Sequence, residues 1–131
     1  MNIDQIHAEL TGWVRSDVEP SYPRGLGACL WVSSAVQARW GLTAIEGIFV
    51  DDPDDLAGEI DAGHVYTHAW NHTADGTIVD GTAGQFHRDG PVAQVIAPGD
   101  DLHRRYLTWE QIPVGLHDAV DEAVQGSYPD P

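Results

Sequence analysis

Apolar positions recur at helical spacing near both ends of the chain. With Asp4 in the first turn, five of them predict an amphipathic helix over residues 3–15: Ile3, Ile6, Leu10, Trp13 and Val14. Residues 29–40 suit a buried helix that Gly41 ends, and residues 114–124 are amphipathic enough for a closing helix.

The middle of the chain has the pattern of β-strands. Residues 43–50 are β-branched and apolar, and residues 92–97 form another short apolar run. Two further runs, over residues 65–70 and 77–80, flank turn-forming residues at 73–76, so the pattern predicts a β-hairpin.

Two shorter segments also have a recognisable local pattern. Thr108 is expected to cap a helical turn that runs through Gln111, and the charged residues 51–61 predict a surface loop. Helices at both ends, with at least one antiparallel strand pair between them, indicate an α+β fold rather than a doubly wound sheet. A length of 131 residues predicts one domain over 1–131.

Charge and cysteine content narrow the function classes. The formal net charge is -15, which disfavours nucleic acid as a partner and is compatible with a basic substrate or simply with high solubility. The single cysteine excludes an intramolecular disulfide. No secretory signal and no apolar run of roughly 18 residues is present, so we expect no membrane span and a cytoplasmic location.

Three residues lie where catalytic groups would be useful. Cys29 stands at the predicted start of a helix, where unpaired N–H groups and the helix dipole stabilise a thiolate. His68 and Asp80 stand on the two hairpin strands and share a face whenever those strands pair in an even register. The carboxylate could then orient the imidazole, leaving the other ring nitrogen for the thiol.

Simpler interpretations compete with this one. A lone buried cysteine is usually a small hydrophobe, and a strand histidine is often only a satisfied polar group. His64, His68 and His72 would share one strand face, but about 13 Å would separate successive side chains, too far to converge on zinc. The acidic run 51–55 lacks the alternating ligands of a calcium loop. We therefore expect no metal and no cofactor.

The segments around the three residues resemble one enzyme superfamily. The sequence reads C-L-W-V-S-S from Cys29, T-H-A-W-N from Thr67 and D-G-T-I-V-D-G-T-A-G-Q-F from Asp75. Together these segments resemble the small bacterial transglutaminase-like branch of the papain-like cysteine peptidase superfamily, over about residues 25–90.

The resemblance implies an antiparallel sheet packed against the helix that carries the nucleophile, with Cys29, His68 and Asp80 as the catalytic triad. It also implies acyl transfer or hydrolysis at a carboxamide or peptide bond of a peptide or protein substrate, through a thioester. Peptidases, amidases, glutamine deamidases and transglutaminases share that chemistry, and the fold does not choose among them. A catalytically silent binding or interaction module on the same fold is the competing hypothesis.

The sequence leaves several candidates for the oxyanion donors. Papain-like peptidases often carry a glutamine several residues before the cysteine, whereas this chain has Pro23-Arg24-Gly25 upstream. The backbone N–H of Cys29 is one available donor. Four side chains are candidates for a second donor or for the pocket wall: Gln85, Trp31, Tyr22 and Trp70.

Aromatic residues are expected mainly in the core, namely Trp31, Tyr66, Trp70 and Phe86. Trp70 shares the strand face of His68. It could therefore shield the ion pair from water, or it could pack on the helix that carries the nucleophile.

Overall fold

Helices flank a set of strands in the computed structural model, which describes residues 2–51, 65–86 and 90–125. The α-helices are α1 (Ile3–Trp13), α2 (Cys29–Trp40) and α3 (His117–Gln125). The strands are β1 (Thr43–Val50), β2 (Val65–His72), β3 (Ile78–Asp80), β4 (Gln94–Ile96) and β5 (Tyr106–Thr108). This order of elements confirms the α+β class.

The five strands form one antiparallel sheet in the order β4-β3-β2-β1-β5. The predicted hairpin is present as β2 and β3, which pair with Asn71 opposite Val79. This register is even, so His68 and Asp80 lie on the same face of the sheet, as the parity argument requires.

The two faces of the sheet have different partners. Helices α1 and α2 bury an aliphatic cluster against one face, with Leu10, Val14, Val18, Val32, Val36 and Val79 at its centre. Helix α3 closes the far end of that face over Ile48, Val50 and Val65. The opposite face is largely aromatic and includes Phe49, Trp70 and Tyr106, with Ile78 and Ile96. His68 and Asp80 belong to this aromatic face.

Helix α2 is fixed to the sheet by a buried amide. The side chain of Asn71 donates from Nδ2 to the carbonyl oxygens of Ser33 at 2.9 Å and Leu42 at 3.1 Å. Gly41 ends the helix in the left-handed region at φ 72°, so the chain can turn directly into β1. These contacts set where the first residue of α2 lies relative to β2.

The first helix continues beyond its predicted end. Asn2 caps its start by accepting from the Gln5 N–H at 2.8 Å. Past Trp13 the chain adds a π-helical turn over Val14–Val18, rather than ending at Arg15. Both valines are fully buried, so the extra turn extends the apolar face of α1.

Strand β5 is not predicted from the sequence. It pairs with β1 and places Tyr106 opposite Phe49. The predicted cap at Thr108 is confirmed, because its hydroxyl accepts from the Gln111 N–H at 3.3 Å and the Gln111 side chain accepts from the Thr108 N–H at 2.9 Å. The turn that follows β5 is therefore a capped 3-10 turn.

The remaining predicted elements are shorter than expected or shifted. The run 92–97 forms a strand only over Gln94–Ile96, and the closing helix starts as a 3-10 turn over Val114–Leu116 before α3. Beyond Asp51, the predicted loop 51–61 lies outside the described residues. Within the described ranges, every helix is too short or too polar to cross a bilayer.

Candidate active site

Cys29 is the first residue of α2 and is partly exposed. Ala28 precedes it, and no side chain caps this end of the helix. The first backbone N–H groups, including that of Cys29, therefore have no intrahelical acceptor and no capping oxygen. The positive end of the helix dipole acts on the sulfur and favours the thiolate.

His68 and Asp80 form a buried pair on the aromatic face. His68 Nε2 lies 2.7 Å from Asp80 Oδ2, and both side chains are fully enclosed. The Tyr106 hydroxyl donates to the same oxygen at 2.6 Å, while Oδ1 accepts from the Thr82 N–H at 2.9 Å. Because both carboxylate oxygens have donors, Asp80 can remain ionised at full burial.

The thiol of Cys29 joins this pair. The His68 side chain is its hydrogen-bond partner, and Nδ1 is the ring nitrogen that Asp80 leaves available. The backbone of Ala69 also hydrogen-bonds the thiol. Because β3 ends at Asp80, β2 continues without a strand partner on that side among the described residues, and Cys29 at the start of α2 reaches the backbone of Ala69 there. The structure thus brings together all three predicted triad residues.

The three groups change one another's acidity. Burial raises the pKa of the Cys29 thiol, but the hydrogen bond and positive charge of His68 and the Ala69 backbone outweigh it, so the pKa lies below its ordinary value. Burial likewise lowers the pKa of His68, yet the charge and hydrogen bond of Asp80, followed by those of Cys29, raise it to about 9. At neutral pH the ring is therefore largely protonated.

The Asp80 carboxyl titrates in the opposite direction. Burial raises its pKa, but the charge and hydrogen bond of His68 and the donors from Tyr106 and Thr82 hold it below the ordinary value. Burial and the neighbouring Asp80 charge raise the pKa of Tyr106 well above its usual range, so its hydroxyl keeps the proton that it donates. The site therefore holds a carboxylate, an imidazolium and an activated thiol, which interact in that order.

Aromatic rings enclose the imidazole. Trp70 stacks on His68 with ring centroids 5.8 Å apart, and Phe86 meets it edge-on at 4.7 Å. Trp70 is 3% exposed and contacts Tyr106 as well. Of the two roles considered for Trp70, shielding of the ion pair from water matches this placement.

Gln85 contacts the imidazole as well. Its side-chain Nε2 lies 3.3 Å from His68 Nδ1 and donates to the Thr82 hydroxyl at 3.1 Å. The amide thus lies beside the ring nitrogen that Asp80 leaves available. Its role as an oxyanion donor stays a prediction, and the structure places its amide beside the His68 ring.

Trp31 and Tyr22 lie on the surface instead. Trp31 is 47% exposed and Tyr22 is 38% exposed, and their rings contact each other at 5.9 Å. Placing Trp31 in the core was wrong, because its position on α2 faces Trp13 and solvent and not the sheet. Neither ring is among the described residues that line the cavity beside Cys29.

A cavity of about 190 Å³ opens in front of the thiol. Its described lining includes Cys29, Glu46, Gly47, Thr67, His68 and Trp109. Gly47 is paired with His68 across β1 and β2, and a Cβ there would overlap the carbonyl oxygen of Leu107 and the Trp70 ring. The close approach of these strands therefore requires glycine beside the site.

The histidines do not assemble a metal site in the described residues. His72 Nδ1 bonds the carbonyl oxygen of Thr73 at 2.7 Å, and His68 is bound to Asp80. His64 lies outside the described residues. Across the described ranges, no group of three or more His, Cys, Asp or Glu side chains is placed to hold a metal ion.

Sequence reasoning missed two residues that hold Asp80. Tyr106 belongs to the unpredicted β5 and lies 26 positions from Asp80 in the chain. Its only signal was the short β-prone run that precedes the predicted cap at Thr108. Thr82 lies in the motif that begins at Asp75. Its position two residues after Asp80 is typical of a local turn in which the aspartate side chain accepts from a backbone N–H, and this signal was missed.

Comparison with protein-family models, with curated proteins and with solved structures gave no match.

Proposed function

We propose that the protein is a cysteine-dependent acyl-transfer enzyme that attacks a carboxamide or peptide bond through a thioester on Cys29. The observation that carries this proposal is the hydrogen-bonded chain from the Cys29 thiol through buried His68 to buried Asp80. A cysteine that only fills space needs neither the imidazole nor the carboxylate behind it. Burying an ion pair is costly, which favours a chemical reason for it.

The acylation step uses all three residues. The Cys29 thiolate attacks the carbonyl carbon, and the negative charge that develops on the oxygen is stabilised by the uncapped N–H at the start of α2. The imidazolium of His68 then gives its proton to the departing amine as the carbon–nitrogen bond breaks. Asp80 keeps the ring in the orientation in which Nδ1 faces the sulfur.

Deacylation reverses the proton path. His68 is neutral after acylation and takes a proton from an incoming water or amine, whose oxygen or nitrogen attacks the thioester carbonyl. The Cys29 thiolate leaves as the carbon–sulfur bond breaks, and the imidazolium is restored. Water gives hydrolysis and an amine gives transamidation. The same three residues support both outcomes.

The resemblance to transglutaminase-like and papain-like proteins agrees with this proposal. Its supporting features are α2 packed on an antiparallel sheet, the nucleophile at the start of that helix, and the order Cys, His, Asp along the chain. We further propose a cytoplasmic location, because a nucleophilic thiol stays reduced in that compartment.

A generic activated ester tests the proposal without knowledge of the natural substrate. With p-nitrophenyl acetate we expect a burst of p-nitrophenol followed by continued turnover, and a hydroxylamine-sensitive acetyl group on Cys29 by intact mass. Cys29→Ala should lose the burst and the adduct, and His68→Ala should lose turnover. If wild type and His68→Ala acetylated at the same slow rate without turnover, the binding-module hypothesis would replace the enzyme.

A further inference from the structure

One wall of the cavity beside Cys29 has no role in the triad. Glu46 and Trp109 line this wall. Among the described lining residues, only His68 has a side chain that can be cationic. Glu46 lies on β1 next to Gly47, which is the residue paired with His68. It is exposed, so its carboxylate is accessible from the cavity.

The Glu46 carboxylate forms no hydrogen bond or ion pair with another side chain in the described ranges. The only basic group in the described lining of the cavity is His68, and Asp80 already bonds that ring at 2.7 Å. Among the described residues, an incoming cation would therefore have no competitor for Glu46.

Trp109 adds an aromatic surface to the same wall. It is half-buried, packs against the aliphatic cluster under α3, and contacts the His117 ring with centroids 5.9 Å apart. Its indole is thus held in place, while part of it faces the cavity. A carboxylate beside an indole suits an ammonium or guanidinium group, which gains an ion pair from the first and a cation–π contact from the second.

The same two residues also line a second cavity. This cavity has a volume of about 260 Å³, and its wall includes Glu110. Glu46 and Trp109 are therefore common to both cavities, and the second cavity adds another carboxylate.

We propose that Glu46 and Trp109 form a subsite for an organic cation, an ammonium or guanidinium group, carried by the substrate that Cys29 attacks. This inference rests on the proposed function, since it names a substrate class for the same cavity. A cationic substrate gains an ion pair with a carboxylate that has no protein partner in the described ranges, whereas an anionic one meets its repulsion. Glu46 then selects substrates by charge.

Thiol-directed reagents of different charge test the subsite directly, because the chain has one cysteine. The reagents are 2-(trimethylammonium)ethyl, 2-sulfonatoethyl and methyl methanethiosulfonate. In each case the Cys29 thiolate attacks the sulfenyl sulfur, methanesulfinate leaves with the bonding electrons, and a mixed disulfide forms. Rates are measured by intact mass at fixed pH and ionic strength.

We expect the cationic reagent to react faster than the anionic one in wild type. Glu46→Gln should lower that rate ratio by about tenfold, or about 1.4 kcal/mol in total, because the carboxylate attracts one reagent and repels the other. The neutral reagent should change by less than about twofold. Glu122→Gln on the exposed side of α3 removes the same charge outside the cavity lining and should leave the ratio within about twofold.

Equal effects of Glu46→Gln and Glu122→Gln would overturn the subsite in favour of general attraction by an acidic protein. An unchanged ratio in Glu46→Gln would overturn it as well. A different result would refute the proposed function. The rate with the neutral reagent would then depend on pH as that of a free thiol does, and His68→Ala would not change this dependence. The rate ratio between charged reagents is independent of the thiol pKa, so the two failures are distinguishable.

Discussion

Replacing Asp80 by asparagine tests the charge arrangement behind the thiol. The substitution keeps the size of the side chain, and the amide oxygen of the new side chain can still accept from the Thr82 N–H. The other position then becomes an NH₂ group facing His68 Nε2, which must accept a hydrogen bond instead of donating one. His68 is forced into the neutral tautomer with its proton on Nδ1, directed at the sulfur, where it can no longer act as a base.

The size of the effect follows from the pKa of the ring. A rise from 6.5 to about 9 corresponds to about 3 kcal/mol in favour of imidazolium, and Asp80 is the largest favourable contributor. Without that carboxylate, burial lowers the pKa of His68 and only Cys29 opposes it. The ring is then mostly neutral at pH 7, and Cys29 loses the cation that lowers its own pKa.

The assay is alkylation of Cys29 by iodoacetamide as a function of pH. An ordinary thiol with a pKa near 8.5 is only about 0.3% ionised at pH 6, so a fully ionised thiol could gain at most about 300-fold there. The gain is smaller in practice because a thiolate of lower pKa is a weaker nucleophile. We expect wild-type Cys29 to react faster than free cysteine at pH 6. In Asp80→Asn the rate should decrease by at least about tenfold.

The sign of the pH dependence follows from the same shifts. Because the Cys29 pKa is lowered, the wild-type alkylation rate should remain high to a lower pH than the rate of a free thiol does. Asp80→Asn should raise the pH below which the rate decreases. Asp75→Asn is the matched control, since Asp75 is exposed in the hairpin turn. If Asp80→Asn stayed folded and kept the wild-type profile, the ion-pair argument would be refuted.

Three further outcomes are expected. Cys29→Ala should abolish alkylation but change stability by less than about 1 kcal/mol in a thermal scan, because the side chain is only partly buried; a loss of roughly 2 kcal/mol or more would indicate a packing role. Tyr106→Phe should cost about 2 kcal/mol in urea unfolding, as it removes a donor to a buried carboxylate, while Cys29 stays reactive at pH 6; unchanged stability would count against that hydrogen bond. Gly81→Ala should cost about 1–3 kcal/mol in the same assay, because its Cβ would lie 2.5 Å from Val32 Cγ1 and push α2 off the sheet; a neutral result would show that Val32 can move aside.

The three residues proposed as a triad could be found from the sequence because their signals are local. The start of α2 is marked by the glycines before Cys29, and the parity of His68 and Asp80 follows from a hairpin whose turn lies between them. Such arguments need only the spacing of nearby residues. They also correctly placed Trp70 on the histidine face.

Residues brought in over long range could not be predicted in the same way. Tyr106 reaches Asp80 only because β5 pairs with β1, and a strand of three residues has too little pattern to specify its partner. Glu46 has the pattern of an ordinary exposed strand residue, since nothing in its neighbourhood shows which side of β1 meets the start of α2. Trp31 was misplaced because hydrophobicity alone does not tell which side of a helix faces the sheet.

The even register of the β2–β3 hairpin also restricts how its turn can change during evolution. Sliding β3 by one residue would turn Asp80 to the face now occupied by Val79 and bring that valine towards His68. The imidazole would lose its carboxylate although every sequence motif was intact. A shift by two residues would return Asp80 to the correct face but move it roughly 6–7 Å along β2, out of reach of His68. Insertions or deletions between the two strands are therefore compatible with the site only when they leave this register unchanged, so the length of an exposed loop is under the same constraint as the buried His68–Asp80 pair.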